Sequence, residues 1–395
     1  VSDAPAGSLV VRRIGRLTSW ARPTITDGAA VIADGSVEWI GTDAELPAGL
    51  ADRPELDAAG AAVIPGFVDC HTHAVWAGDR RADLLARLEG GDYRPAGIGS
   101  TVAATRAATY EELLAAAMSR VTAMRRNGAT TIEVKSGYGL TPHDEARLLE
   151  VISELSAALG GIESTYLGAH VVPDGRDRLE YVDEVVASLP MAADRGASWC
   201  DVFCDEGAFT VDESRRILAT AAAVGLGTRI HAEQLTRTGA AKLAADVGCA
   251  SADHLDHVTA ADAAALAGAG VVGVLVPVAS LYTRSGRWSH AAVLRDAGVT
   301  LAIATDCNPG TSYCESMPLA VQLACLEMGL GVETALRAAT LGGAAALRRD
   351  DVGHLGVGAR GDLLVLASDH EIDVVGHLGV PAVTATVTGG EVSSG

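Results

Sequence analysis

The sequence predicts an α/β protein: a (β/α)8 TIM-type barrel with a small β-sandwich-like domain built from both chain ends. Three observations predict it. Between residues 63 and 306, short apolar runs alternate with helical stretches, the rhythm of repeated β-α units and a parallel sheet. Both chain ends read instead as short alternating strands separated by turn residues. Histidines and acids gather at the C-terminal ends of the predicted barrel strands, where such barrels keep their chemistry.

Composition sets the outer bounds. At 395 residues the chain is long enough for one large domain and a smaller one. Hydrophobic residues make up 49% and aromatics only 4%, so Ala, Val, Leu and Gly must fill the core. A net charge of −20 argues against a nucleic-acid or anionic-membrane partner, since either needs a basic patch. No apolar run approaches the ~20 residues that span a bilayer; the strongest, 271–279, is interrupted by Pro277. Residues 1–17 contain no long apolar stretch, so no secretory signal is expected. The cysteines at 70, 200, 204, 249, 307, 314 and 325 include no C-x-x-C pair. That scatter predicts reduced thiols in a cytoplasmic protein.

Taken in order, residues 1–64 hold the alternating stretches Leu9-Val-Val-Arg, Ala29-Ala-Val-Ile and Ser36-Val-Glu-Trp-Ile. Asp34-Gly35, Pro47 and Pro54 separate them, which predicts the N-terminal part of a small β-domain. Residues 65–352 are expected to form the barrel, with strand candidates at 63–73, 130–135, 164–170, 199–204, 228–232, 250–254, 271–276 and 300–306. Helices are expected at 110–127, 143–159, 212–224, 236–247 and 259–268. Thr141-Pro142 supplies an N-cap and an N1 proline, and Thr210-Val-Asp-Glu213 is a capping-box pattern. Residues 353–395 return to strands, Asp362-Leu-Leu-Val-Leu and Val383-Thr-Ala-Thr-Val, which are expected to complete the small domain.

The strand ends carry the chemistry. Val63-Ile-Pro-Gly-Phe-Val-Asp-Cys-His71-Thr-His73 ends in two histidines spaced i, i+2, so both rings face one way and Thr72 the other. Further along come Gly168-Ala-His170, His231-Ala-Glu-Gln234, Asp253-His254 and Asp306-Cys-Asn308. Taken singly, each histidine reads as a satisfied core or surface residue. Five histidines and an aspartate at one end of successive strands are much harder to obtain by chance. A mononuclear site needs about four N/O ligands, or three plus water. His71, His73, His231 and Asp306 are the natural set. A metal held there leaves a position for water and lowers that water's pKa toward neutrality. Asp306 can also accept the water's proton, and His254 can hydrogen-bond a developing oxyanion. Zinc, iron and manganese all remain open for such donors.

These residues, following a small β-domain, resemble the amidohydrolase superfamily, and within it the enzymes that open the imidazolone ring in histidine degradation. The resemblance covers most of the chain. Its narrower motifs are His71-Thr-His73-Ala-Val-Trp-Ala-Gly-Asp-Arg80, Lys135-Ser-Gly-Tyr138-Gly-Leu, Leu167-Gly-Ala-His170, Asp201-Val-Phe-Cys204, His231-Ala-Glu-Gln234, Ser251-Ala-Asp-His254 and Asp306-Cys-Asn308-Pro-Gly310. What it implies is hydrolysis of the cyclic amide of 4-imidazolone-5-propanoate to N-formimidoyl-L-glutamate. It also implies one divalent or trivalent metal per subunit, zinc or iron, on His71, His73, His231 and Asp306. Substrate contacts are carried over to Arg80, Tyr138, His170, Gln234, Asn308, Gly310 and Thr311, and Tyr93 in the early loop is a further candidate. A homodimer is a family-level expectation only. The alternative is a deaminase or another cyclic-amide hydrolase of the superfamily. Deaminases resembling this pattern carry glutamate where this chain has Gln234, an amide without acid-base capacity. Glu233 is expected to face away from the site, and strand four holds no lysine for a second metal.

Overall fold

The computed structural model describes residues 7–89, 97–283, 288 and 290–394. Eight parallel strands follow one another in chain order around a barrel: Phe67–Asp69, Ala129–Lys135, Ile162–Ala169, Trp199–Cys204, Gly227–Ala232, Ser251–His254, Val272–Leu275 and Leu301–Ile303. These strands are almost wholly buried, and they carry polar residues among the apolar ones, including Glu133, Lys135, Asp201, Arg229, His231 and Asp253. The ring closes just past its first and last strands. Thr72 bridges Cys307, the Asp306 N–H donates to the His71 carbonyl at 3.0 Å, and the His73 N–H donates to the Cys307 carbonyl at 2.9 Å. Closure therefore falls on the segments that carry His71, His73 and Asp306.

The helices between strands start where their caps say. Thr141 accepts from the Asp144 N–H with Pro142 in the first turn, and Thr210 with Glu213 forms a reciprocal capping box. Thr109 with Glu112 and Thr259 with Asp262 do the same. Helices outside the expected set include Arg81–Leu88 and Ile98–Ala107, between the first barrel strand and the helix Tyr110–Arg126, and Arg178–Asp194, between the third and fourth barrel strands. The expected strand 63–73 is also two elements. Ala62–Pro65 belongs to the small sheet, pairing with Leu9–Leu17 and Leu363–Leu366, whereas Phe67–Asp69 enters the barrel. The chain changes sheets at Gly66, where a Cβ would collide with the Thr130 side chain.

The small sheet runs in the order Glu391–Ser394, Val383–Thr388, Leu363–Leu366, Ala62–Pro65, Leu9–Leu17, Ile25–Ala33 and Ser36–Thr42, with Glu55–Asp57 paired beside Leu9–Leu17. Both chain ends thus meet across Ala62–Pro65, around a core that includes Val11, Ile14, Ile32, Val63, Leu363 and Val387. Among the described residues, no helix is long and apolar enough to cross a membrane.

Candidate metal centre

His71 and His73 lie just beyond the first barrel strand, in a segment that stays extended because its neighbours hold its backbone. The Lys135 N–H donates to the Thr72 carbonyl at 2.9 Å, and the Thr72 N–H donates to Glu133 Oε2 at 3.1 Å. The Thr72 hydroxyl donates to the Glu133 carbonyl at 2.6 Å. Thr72 thus points into the barrel wall and both imidazoles point to the mouth, as the i, i+2 spacing requires. Asp306 arrives from the far side of the ring closure. Asp69 takes the Thr305 N–H at 3.0 Å and its hydroxyl at 2.6 Å, fixing the turn into Asp306.

Four of the predicted groups converge. Asp306 Oδ1 lies 3.5 Å from both His71 Nε2 and His73 Nε2, and His73 Nε2 lies 3.4 Å from His231 Nε2. The His254 ring is centred 5.1 Å from that of His231 and 5.3 Å from that of His71. His71, His73 and Asp306 form one group whose ligand atoms all lie within 4.8 Å of one another, and His71, His231 and His254 form a second. His254 (φ +75°), Leu255 (φ +63°), Glu233 (φ +54°) and Asp306 (φ +52°) all take left-handed backbone conformations. Such conformations cost roughly 1–3 kcal/mol each in non-glycine residues and gather at functional sites.

The donor set fits a metal ion. Asp253 Oδ2 sits 2.6 Å from His71 Nδ1, and Asp201 Oδ1 sits 3.1 Å from His231 Nδ1. A carboxylate there accepts the Nδ1 proton and leaves each Nε2 as a lone pair aimed at the mouth. Nε2 of His71 is fully buried and has no hydrogen-bond partner. Burial first, then nearby positive groups, holds His71, His73 and His254 well below the usual imidazole range, so they are neutral and able to ligate. Burial opposes the ionisation of Asp201, yet His231 and Lys135 together keep its carboxyl well below the usual range. Bare imidazole nitrogens facing one another beside a carboxylate oxygen call for a cation between them.

Above this floor lies a narrow pocket with a cavity volume of about 50 Å³. Its lining includes Arg80, Tyr138, His170, Gln234, His254, Asn308, Gly310 and Thr311. Arg80 pairs through Nε with Asp83, while its buried Nη2 has no hydrogen-bond partner among the described residues. Nη1 approaches Gly310 so closely that a Cβ there would lie 3.2 Å away. His170 stacks on His73 with ring centroids 5.2 Å apart, and its Nδ1 lies 2.9 Å from the Gly137 carbonyl oxygen. Tyr93 lies outside the described residues.

Two carboxylates to which the sequence analysis gave no role, Glu145 and Asp205, shape the rim. Glu145 accepts from the N–H groups of Gly137 at 2.9 Å and of Gly139 and Leu140 at 2.8 Å, folding the loop that presents Tyr138. Asp205 accepts from the N–H groups of Gln234, Leu235 and Thr236 at 2.9, 2.8 and 3.1 Å. Glu233 faces away from the pocket and takes the N–H groups of Thr238, Gly239 and Ala241. With those donors engaged, the helix expected at 236–247 begins only at Ala240. Asn308 is a brace for its own loop. Its Oδ1 accepts from Gly310 and Thr311, and its Nδ2 donates to the Asp306 carbonyl and the Thr311 hydroxyl. Arg87 ties the same loop to the Arg81–Leu88 helix, donating from Nη2 to the Gly310 carbonyl at 2.6 Å.

The sequence model of the amidohydrolase family matches residues 62–393. An imidazolonepropionase from Salinispora tropica is 47% identical over 368 residues, 92% of each chain. One from Mycolicibacterium smegmatis is 46% identical over 370 residues, 93% of this chain and 91% of its own. The chain belongs to the amidohydrolase family, in its imidazolonepropionase branch. Among solved structures, this amidohydrolase superposes on a variant atrazine chlorohydrolase from Arthrobacter aurescens, complexed with zinc and atraton, with a TM-score of 0.78. The match covers 97% of this chain and 94% of that one at 17% identity. An adenosine deaminase from Xanthomonas campestris with bound zinc gives 0.69 at 20% identity, covering 97% and 92% of the two chains. At those identities the likeness speaks for the fold alone.

Proposed function

We infer that this chain hydrolyses the cyclic amide C–N bond of 4-imidazolone-5-propanoate, yielding N-formimidoyl-L-glutamate in histidine degradation. The observation that carries the reading is the convergence of His71, His73, His231 and Asp306 beneath a pocket that Arg80 helps to line. A zinc or iron ion on those four residues supplies Lewis acidity and makes water nucleophilic near neutral pH. The protein's own groups do the rest. Arg80, in the pocket lining, takes the propionate carboxylate of this small anionic substrate. His254, neutral and with both ring nitrogens unpartnered, donates a hydrogen bond to the ring carbonyl as negative charge develops there. Asp306 accepts a proton from the attacking water and returns it to the departing nitrogen. The carbonyl carbon becomes a carboxylate and the ring opens. Gln234 hydrogen-bonds the ring and transfers no proton, which favours ring opening over deamination.

The test is direct. The purified chain, loaded with zinc or iron, should consume imidazolonepropionate and release formimidoyl-glutamate. Full metal occupancy without turnover overturns the reading, and ammonia release from an aminated ring would move the chain to the deaminases.

A further inference from the structure

Beneath the four metal-facing residues lies a layer of buried charge that the reaction does not use. Lys135, fully buried, reaches Glu133 Oε1 at 2.7 Å and Asp201 Oδ2 at 2.8 Å. Each carboxylate leads on to a different half of the site. Asp201 uses its other oxygen on His231 Nδ1, and Glu133 uses its other oxygen on the N–H of Thr72, between His71 and His73. Thr165 donates its hydroxyl to Glu133 as well, so that carboxylate is held from two sides. A second buried cation stands behind the remaining imidazole. Arg229 lies 3.4 Å from Asp253 Oδ2, the oxygen that meets His71 Nδ1, although its closest hydrogen bond is to the Cys70 carbonyl at 2.6 Å. Lys135 is the cation that joins both halves.

We propose that Lys135 is a positioning residue for the metal site, holding Asp201 against His231 and Glu133 against the His71–Thr72–His73 backbone. The physical reason is geometric and electrostatic. Two buried carboxylates near each other repel, and one of them moves or takes a proton unless a cation lies between them. With Lys135 in place, Asp201 accepts the His231 Nδ1 proton, and the Nε2 lone pair is kept toward the mouth. An uncharged residue there frees Asp201 from its fixed orientation. The His231 ring then loses the contact that selects its tautomer. The proposal rests on the metal-site reading above and not on the identity of the substrate.

The experiment is a zinc titration by chelator competition on the native chain, Lys135→Met, Asp201→Asn and the double variant, with folding checked by circular dichroism. Loss of an outer partner of a metal-bound histidine weakens metal affinity roughly 10–100-fold. Lys135→Met and Asp201→Asn should each show that loss. The double variant should bind zinc more tightly than the product of the two separate losses predicts, because part of the lysine's effect runs through the aspartate. Effects that multiply independently overturn the proposal, as does zinc affinity unchanged in Lys135→Met. Should Lys135→Met fail to fold, Lys135→Met with Glu133→Gln removes one negative charge along with the positive one and reads the same quantity against Glu133→Gln alone. A native chain that binds zinc but leaves imidazolonepropionate intact overturns the proposed reaction and leaves the role of Lys135 standing.

Discussion

At the floor of the barrel mouth, carboxylates touch the imidazole rings themselves: Asp253 meets His71 and Asp201 meets His231. At the rim, carboxylates mainly gather backbone: Glu145 takes the N–H groups around Tyr138, and Asp205 takes those from Gln234 to Thr236 together with the Thr236 hydroxyl. The residue type is the same and the outcome differs. A carboxylate on a ring nitrogen sets tautomer and orientation, which a metal ligand needs. A carboxylate on backbone N–H groups sets the path of a loop and leaves the side chain there available to a substrate.

The comparison is broken most forcefully at the floor. His231→Ala should remove metal and lower turnover by on the order of 10⁴-fold, at the upper end of losses for one catalytic group. Circular dichroism should show the barrel intact, and exhaustive chelation of the native chain should match the variant. Turnover surviving in the metal-free protein would refute the site.

At the rim, Glu145→Ala strands three buried N–H groups and should reduce stability by about 3 kcal/mol, seen in urea unfolding. It should also raise KM more than it lowers kcat, since only the Tyr138 loop is disturbed. A fall in kcat alone would place this loop with the floor instead.

His170 bridges the two regions, stacking on His73 and facing the Gly137 carbonyl. Burial, then His231, lowers its pKa to about 3. The unfolded chain, with imidazole near ~6.5, binds more protons between those values, so stability falls as pH drops through that window. The loss from this group is about 2 kcal/mol by pH 5. Burial pushes Asp69 up to about 7, and it acts in the opposite direction as pH falls toward 4. Comparing the native chain with His170→Asn at pH 7 and pH 5 therefore isolates the imidazole. Equal slopes would mean that His170 is hydrated in solution.

The smallest effect belongs to Arg80→Lys. Replacing a planar fork with a point charge should raise KM about 10-fold with kcat nearly unchanged. A fall in kcat with KM constant would assign Arg80 to the reacting centre.

The eight barrel strands and the metal-facing residues were legible because period-two alternation places a side chain once its strand is found. His71, His73, His231 and Asp306 each sit at or just past a strand end, where alternation still holds or the ring closes. The sequence also placed Glu233 away from the pocket, but strand alternation is not what turns it there. The strand does not persist there; positive φ turns the residue out and its carboxylate binds the next helix's N–H groups. That same capture shortened the helix expected from residue 236. The break of strand 63–73 at Gly66 escaped notice because an apolar run looks alike in one sheet or two.

By itself, then, the sequence determined the barrel and which residues face its mouth, and motif resemblance extended this to a hydrolytic reading. Local periodicity and residue chemistry suffice for that much. Only the tertiary structure decided what holds those residues: the Asp253 and Asp201 contacts to the rings, the Lys135 node between Glu133 and Asp201, and the loop braces Glu145, Asp205 and Asn308. Several of these contacts join residues far apart in the chain, others run from side chain to backbone within a loop, and no spacing rule reveals either. The physical reason is that a buried carboxylate is defined by its donors, and its donors are chosen by packing.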